Sequence, residues 1–290
     1  MKVGVTLGLL HPGVWHEFAV AADALGYESL WVPEHLVFTA DLAGSDYPGS
    51  KTGKPPVDPH AHLLDAPVFL AGVATATNQI RLGTYVYLFG LRHPFVAARA
   101  FLTLDQVSKG RAIVGVGAGW LESEWQAAGL DFATRGRRLD ESIRVAKRLW
   151  TEETIEHHGE FYDFDRVFFE PKPVHKPHPP IMAGGESAAA LRRAVRLCDG
   201  WVSMPHTVES ARPQIETIER MLAEAGRDRS EFEITVSAFD VHTPDDLEQW
   251  RRLGVDRLVV RPYTRTSGAV EALERFATDL GPFAIDPATS

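Results

Sequence analysis

The chain has 290 residues, 44% of them hydrophobic, and a net charge of −9 at pH 7. That length suits two ordinary domains or one α/β barrel, and the hydrophobic fraction supports a large buried core. The acidity gives nucleic acid no basic surface to bind, and one cysteine, Cys198, excludes an intrachain disulfide and a cysteine-based metal cluster.

The amino terminus, MKVGVTLGLL, lacks the charged region, long apolar region and cleavage site of a signal peptide. No apolar run approaches the ~20 residues of a membrane span. These features predict a soluble cytoplasmic protein with no membrane partner.

Short β-branched runs alternate with helical patterns along the chain. Strands are predicted at Val3–Gly8, Ser29–Pro33, Ile80–Phe89, Ala112–Gly117, Pro180–Gly184, Gly200–Met204, Glu233–Ser237 and Arg257–Arg261. Trp15, Phe18, Ala19, Ala22 and Leu25 recur at helical spacing before Gly26, and Leu139, Ile143, Ala146 and Leu149 mark another helix. Eight βα units predict a closed (β/α)₈ TIM barrel, with an open doubly wound sheet as the alternative. The expected organisation is one barrel over residues 1–282 and a tail from Phe283 to Ser290. Two segments break the rhythm: a Gly- and Pro-rich loop from Phe38 to His62, and an excursion from Ile155 to His178. Within the second, Glu156–Phe161 and Val167–Glu170 pattern as a hairpin. Such loops on a compact domain serve as lids or substrate elements, or as surface decoration.

In a TIM barrel the active site lies at the carboxyl ends of the strands. His35 follows the second strand, so its imidazole is aimed at the mouth, where it can hydrogen-bond a substrate oxygen or move a proton near neutral pH. Glu34 either orients it or forms an internal salt bridge. The fourth strand ends in Gly117-Ala118-Gly119-Trp120 and the fifth barrel strand in Gly184-Gly185-Glu186-Ser187. Glycine lets a flat or anionic ligand approach the backbone, and a helix starts after each exit. The pair points to a phosphorylated cofactor, while tight βα turns explain either alone. Ser187 is placed to bond a phosphate or to cap the next helix. Arg81, Arg92 and Arg111 read as structural. His60-x-His62 has the spacing of a metal pair but lies in a Pro-rich loop ahead of a helix, so no metal site is assigned, and no Gly-x-Ser-x-Gly elbow for a serine nucleophile is present.

The segments WVPEH (31–35), IRLGT (80–84), RHP (92–94), TLD (103–105), S-x-GR (108–111) and GVG-x-GW (115–120) together resemble the luciferase-like oxidoreductase superfamily, and within it the branch that uses the deazaflavin coenzyme F420. The resemblance runs from Lys2 to about Leu280. It implies a (β/α)₈ barrel with a deazaflavin or flavin ring in its mouth, backed by a non-proline cis peptide at Tyr85-Val86. The cofactor phosphate would lie near Gly184, Gly185 and Ser187, with Gly117 and Gly119 nearby. His35 matches a histidine that stabilises the substrate oxygen in F420-dependent dehydrogenases. Those enzymes carry a glutamate after the Gly-x-Gly; here that place holds Trp120, and the nearest acids are Glu122 and Glu124. Either reduction of an activated double bond or imine, or another proton donor such as Tyr263, His11 or water, is then expected. The resemblance further implies a homodimer and rim lysines such as Lys51, Lys54 or Lys172 for an acidic cofactor tail. F420-dependent hydride transfer to or from a small organic substrate is the leading expectation. An FMN-dependent monooxygenase and a non-catalytic flavin- or partner-binding barrel are the alternatives.

Overall fold

The computed structural model describes residues 1–40, 42, 47–48, 50, 53–55 and 57–280. The expected tail from Phe283 to Ser290, the boundary at 282, and Lys51 lie outside the described residues. In chain order the elements are β1 (Lys2–Thr6), α1 (Trp15–Ala24), β2 (Ser29–Val32), α2 (Ala66–Ala76), β3 (Arg81–Thr84), α3 (Pro94–Ser108), β4 (Ala112–Val116), α4 (Glu122–Ala127) and α5 (Arg135–Thr151). There follow β5 (Thr154–His158), β6 (Asp163–Phe168), β7 (Ile181–Gly184), α6 (Ala188–Leu197), β8 (Gly200–Pro205), α7 (Val208–Glu224), β9 (Glu233–Ser237), α8 (Pro244–Arg252), β10 (Arg257–Val260) and α9 (Ala269–Leu280).

Eight parallel strands close into a barrel in the order β1-β10-β9-β8-β7-β4-β3-β2. Closure is direct: β1 pairs with β10 through Lys2↔Arg257 and with β2 through Gly4↔Ser29. All eight predicted strands are present, the third cut short at Thr84. The expected hairpin lies a few residues earlier than predicted. β5 and β6 pair antiparallel around a turn in which the Gly159 amide donates to the Tyr162 carbonyl. Glu141 holds that turn by accepting from the amides of Phe161 and Tyr162.

Successive residues of a strand point to opposite faces. One set, Trp31, Ile113, Met182, Val202 and Val259, meets inside the barrel. Their neighbours, among them Leu30, Val32, Val114, Ile181, Leu258 and Val260, pack outward in the main hydrophobic core. At the amino-terminal end of the strands Arg257, 1% exposed, grips Glu28 at 2.7 and 2.8 Å and also pairs with Glu233. Arg111 donates to the carbonyls of Ala74, Thr77 and Ile80, tying the end of α2 to β3.

Candidate active site

The alternation that sends Trp31 inward continues through Pro33 to His35 at the mouth, while Val32 and Glu34 belong to the outward set. His35 Nδ1 lies 2.9 Å from Glu124 Oε2. The other carboxylate oxygen accepts the amides of Leu36 at 2.6 Å and Val37 at 3.3 Å. A carboxylate offers acceptors only, so Nδ1 carries the proton in this pair and Nε2 is the ring atom left for a substrate. The Glu124 side chain is 0% exposed and that of His35 is 15% exposed. One residue earlier, Ser123 Oγ is 2.6 Å from Thr39 Oγ1, a second tie between α4 and the loop after β2. Trp120 stands edge-on to the imidazole at 5.5 Å, Phe38 lies 4.6 Å from it, and Tyr47 packs edge-on against Trp120 at 5.3 Å.

The structure brings Glu124, not Glu34, to His35. Glu34 points into the helix layer, where Oε1 takes Arg92 at 2.6 Å and Oε2 accepts the Leu88 amide at 3.0 Å. Burial pushes its carboxyl above the usual range against the pull of Arg92. Of the two roles open to Glu34, the internal salt bridge is the one present. The sequence does carry a signal for Glu124: Leu121, Glu124 and Trp125 are buried at i, i+3 and i+4, so the acid interrupts the apolar stripe of a helix.

The peptide Tyr85-Val86 is cis. The Tyr85 hydroxyl donates to the Ser203 carbonyl at 2.5 Å, and burial pushes its phenol up. The Val86 side chain sits where Gly117 and Gly184 have none. A Cβ at Gly184 would lie 2.8 Å from Val86 Cγ1, and one at Gly117 would run into Cγ2. These glycines therefore make room for Val86, which forms a floor between them. Gly119 and Gly185 adopt φ of +83° and +114°, the left-handed region that favours glycine. Ala118 is half-buried, and Ser187 caps α6 by accepting the Ala190 amide at 3.2 Å. Beside it, Glu186 accepts the Met204 amide at 2.7 Å and faces His206 Nε2 at 3.3 Å.

Several other expected groups are engaged elsewhere. Tyr263 bonds the carbonyls of Thr6 and Gly8, each at 2.7 Å, and His11 Nδ1 accepts the Gly13 amide. Lys172 donates to the carbonyls of Leu149, Glu152 and Phe169, which uses its three protons within the fold, and Lys54 is exposed. Cys198 is buried, which pushes its thiol up to about 12. His60 pairs with Asp58, and among the described residues no three His, Cys, Asp or Glu side chains gather as a metal site.

A model of the luciferase-like monooxygenase family matches residues 11–284. The chain belongs to this family. An uncharacterized protein of Mycobacterium tuberculosis (strain ATCC 25618 / H37Rv) is 32% identical to this luciferase-like chain over 262 residues, 89% of the chain and 91% of that protein. The FMNH(2)-dependent dimethylsulfone monooxygenase of Pseudomonas putida is 37% identical over 167 residues, 57% of this chain and 45% of that enzyme. The fold also matches the structure of an F420-dependent secondary alcohol dehydrogenase in complex with an F420-acetone adduct, with a TM-score of 0.76, 17% identity and coverage of 97% and 99%. A sequence relative named for FMNH(2) and a structural neighbour named for F420 thus both resemble this luciferase-like protein, which is an oxidoreductase by family.

Proposed function

We propose that the protein is an F420-dependent oxidoreductase that moves hydride between the deazaflavin and a small organic substrate held at His35. The observation that carries this reading is the imidazole fixed by Glu124 at the barrel mouth, with the Val86 side chain lodged in the space that Gly117 and Gly184 leave. Tyr85, Val86, Gly117, Ala118 and Gly119 would hold the ring, and Gly184, Gly185 and Ser187 the phosphate-bearing arm. When bound, the deazaflavin supplies a two-electron hydride donor or acceptor. The chain supplies the rest. His35 Nε2 binds the substrate oxygen and accepts or returns its proton. Glu124 keeps the other ring nitrogen protonated. Trp120 and Phe38 shield the imidazole from water, and Glu34 ties the exit of β2 to the segment after β3 through Leu88 and Arg92. Two copies are proposed to pair as a homodimer, on the resemblance alone.

A second reading is an FMN-dependent monooxygenase, favoured by the 37% identity to the dimethylsulfone enzyme. Parallel fluorescence titrations with F420 and FMN decide between them. Tight F420 and weak FMN binding is expected, with hydride transfer lost in His35→Ala. The reverse affinity moves the chain to the second reading. Binding of neither cofactor defeats both.

A further inference from the structure

We infer that Arg261 is an anion-binding residue of the substrate pocket, so that the substrate carries a carboxylate or similar small anionic group besides the group that meets His35. The inference rests on the functional reading above and deepens it. Its first support is strand parity. In β10, Leu258 and Val260 face the outer core, Val259 faces the barrel interior, and Arg257 on the same face as Val259 lies against the Trp31 ring at 5.6 Å. Two residues beyond Val259 the same face presents Arg261 at the mouth. In β9, Ile234 and Val236 face the outer core, so Phe239, two residues past Ser237, ends the inward line there. The contact agrees with this placement: the Arg261 guanidinium lies 4.1 Å over the centre of the Phe239 ring.

The second support is the contrast between the two inward arginines. Arg257 is buried at the barrel floor and carries two carboxylates, Glu28 and Glu233. Arg261 is half-buried and has no ion pair among the described residues. An aromatic platform holds a planar guanidinium in place while leaving its N–H fork open to an acceptor. A cation held this way in a partly dehydrated pocket gains most from a bidentate anion.

The third support is position around the barrel. β10 and β2 flank β1, which puts the lines that carry Arg261 and His35 two strand spacings apart, roughly 10 Å. β7, whose exit leads to Gly185 and Ser187, is three spacings from β10 on the other side. Arg261 therefore belongs with the substrate end of the mouth rather than with the phosphate arm of the cofactor.

The test uses the full chain loaded with whichever of F420 and FMN it binds, and two ketone pairs that differ by a carboxylate: 4-acetylbenzoate with acetophenone, and 4-oxopentanoate with 2-pentanone. Dissociation constants are measured by ligand-observed NMR at fixed ionic strength for the wild type, Arg261→Met and Arg261→Lys. In at least one pair the carboxylate is expected to bind the wild type about tenfold or more tightly, as a charge-assisted hydrogen-bond pair supplies. Arg261→Met removes that preference, Arg261→Lys keeps part of it, and cofactor affinity stays the same in all three. Equal binding within both pairs, or a preference that survives Arg261→Met, overturns the inference. So does a tenfold loss of cofactor affinity in Arg261→Met, because the anion then belongs to the cofactor. If neither cofactor binds, the functional reading fails separately, and the same pairs on the cofactor-free protein still decide whether Arg261 selects anions.

Discussion

Glu124 holds His35 from behind. One carboxylate oxygen faces Nδ1 at 2.9 Å, and the other collects the amides of the next two residues, Leu36 and Val37. The ring and the loop that carries it are thus fixed by one buried side chain contributed from 89 residues further along the chain.

Replacing that carboxylate separates catalysis from folding. Glu124→Gln keeps an acceptor for the amides, but its NH₂ group can donate to Nδ1 and move the imidazole proton to Nε2. Stability is expected to fall by about 1 kcal/mol or less, while turnover falls about tenfold or more, equivalent to ~1.4 kcal/mol of barrel-held transition-state stabilisation. Glu124→Ala leaves both amides without an acceptor and costs about 1–3 kcal/mol. Urea denaturation, turnover and ¹⁵N imidazole shifts check this together. An unchanged tautomer with unchanged turnover in Glu124→Gln would show that the carboxylate only fastens the loop.

The floor predicts a binding defect in a protein that still folds, though less stably. In Gly117→Ala the new methyl meets Val86 Cγ2, so Val86 must shift from its place beneath the proposed cofactor ring. Overpacking of this kind costs about 1–3 kcal/mol, and cofactor affinity is expected to fall about tenfold. Retained affinity would mean that the ring is not seated on Val86. Circular dichroism and the cofactor titration are the two readouts.

Much of this site is readable in the sequence because a strand has a period of two. Trp31, Pro33 and His35 share a face, and the rim position of His35 follows once β2 is placed. Glu34 takes the opposite face for the same reason, which separates it from His35 despite their adjacency. Glu124 is harder to see, because an acid in the first turn of a helix ordinarily faces solvent and complements the dipole. Here it lies in the buried stripe between Leu121 and Trp125, and only the folded loop supplies its three donors. Arg261 is read at the sequence level only as the rim end of the last barrel strand, with no role of its own. Its lack of a counter-ion becomes meaningful only beside Arg257, which the barrel places on the same face with two acids. The shift of the hairpin has a tertiary cause as well, since Glu141 on α5 decides where the turn falls.

α2 offers a stabilising change. Gly72 lies inside this helix, exposed, and a Cβ there meets nothing within 4 Å. Gly72→Ala removes the entropic penalty of glycine in a helix and is expected to raise stability by about 0.5–1 kcal/mol. A urea midpoint that fails to rise would mean that the open space at Gly72 is occupied in solution.

The barrel floor sets an acid limit on stability. Burial pushes the Glu28 carboxyl up, but the two-pronged contact with Arg257, aided by the charge of Arg81, overcomes it and holds the group at about 2, against an ordinary value of 4.5. The folded state therefore binds this proton less readily than the unfolded chain. The stabilisation is complete above about pH 4.5 and drains as the pH falls toward 2. Glu28→Gln removes the titrating group and leaves Arg257 with Glu233 alone. At pH 7 it is expected to be less stable than the wild type by roughly 3 kcal/mol, the loss typical of a broken buried ion pair. The gap should narrow as the wild-type carboxyl becomes protonated at acid pH. Urea unfolding at half-unit steps from pH 6 to pH 3 measures it for both proteins. A gap that stays constant over that range would place the pH dependence of the fold somewhere other than the Glu28–Arg257 pair.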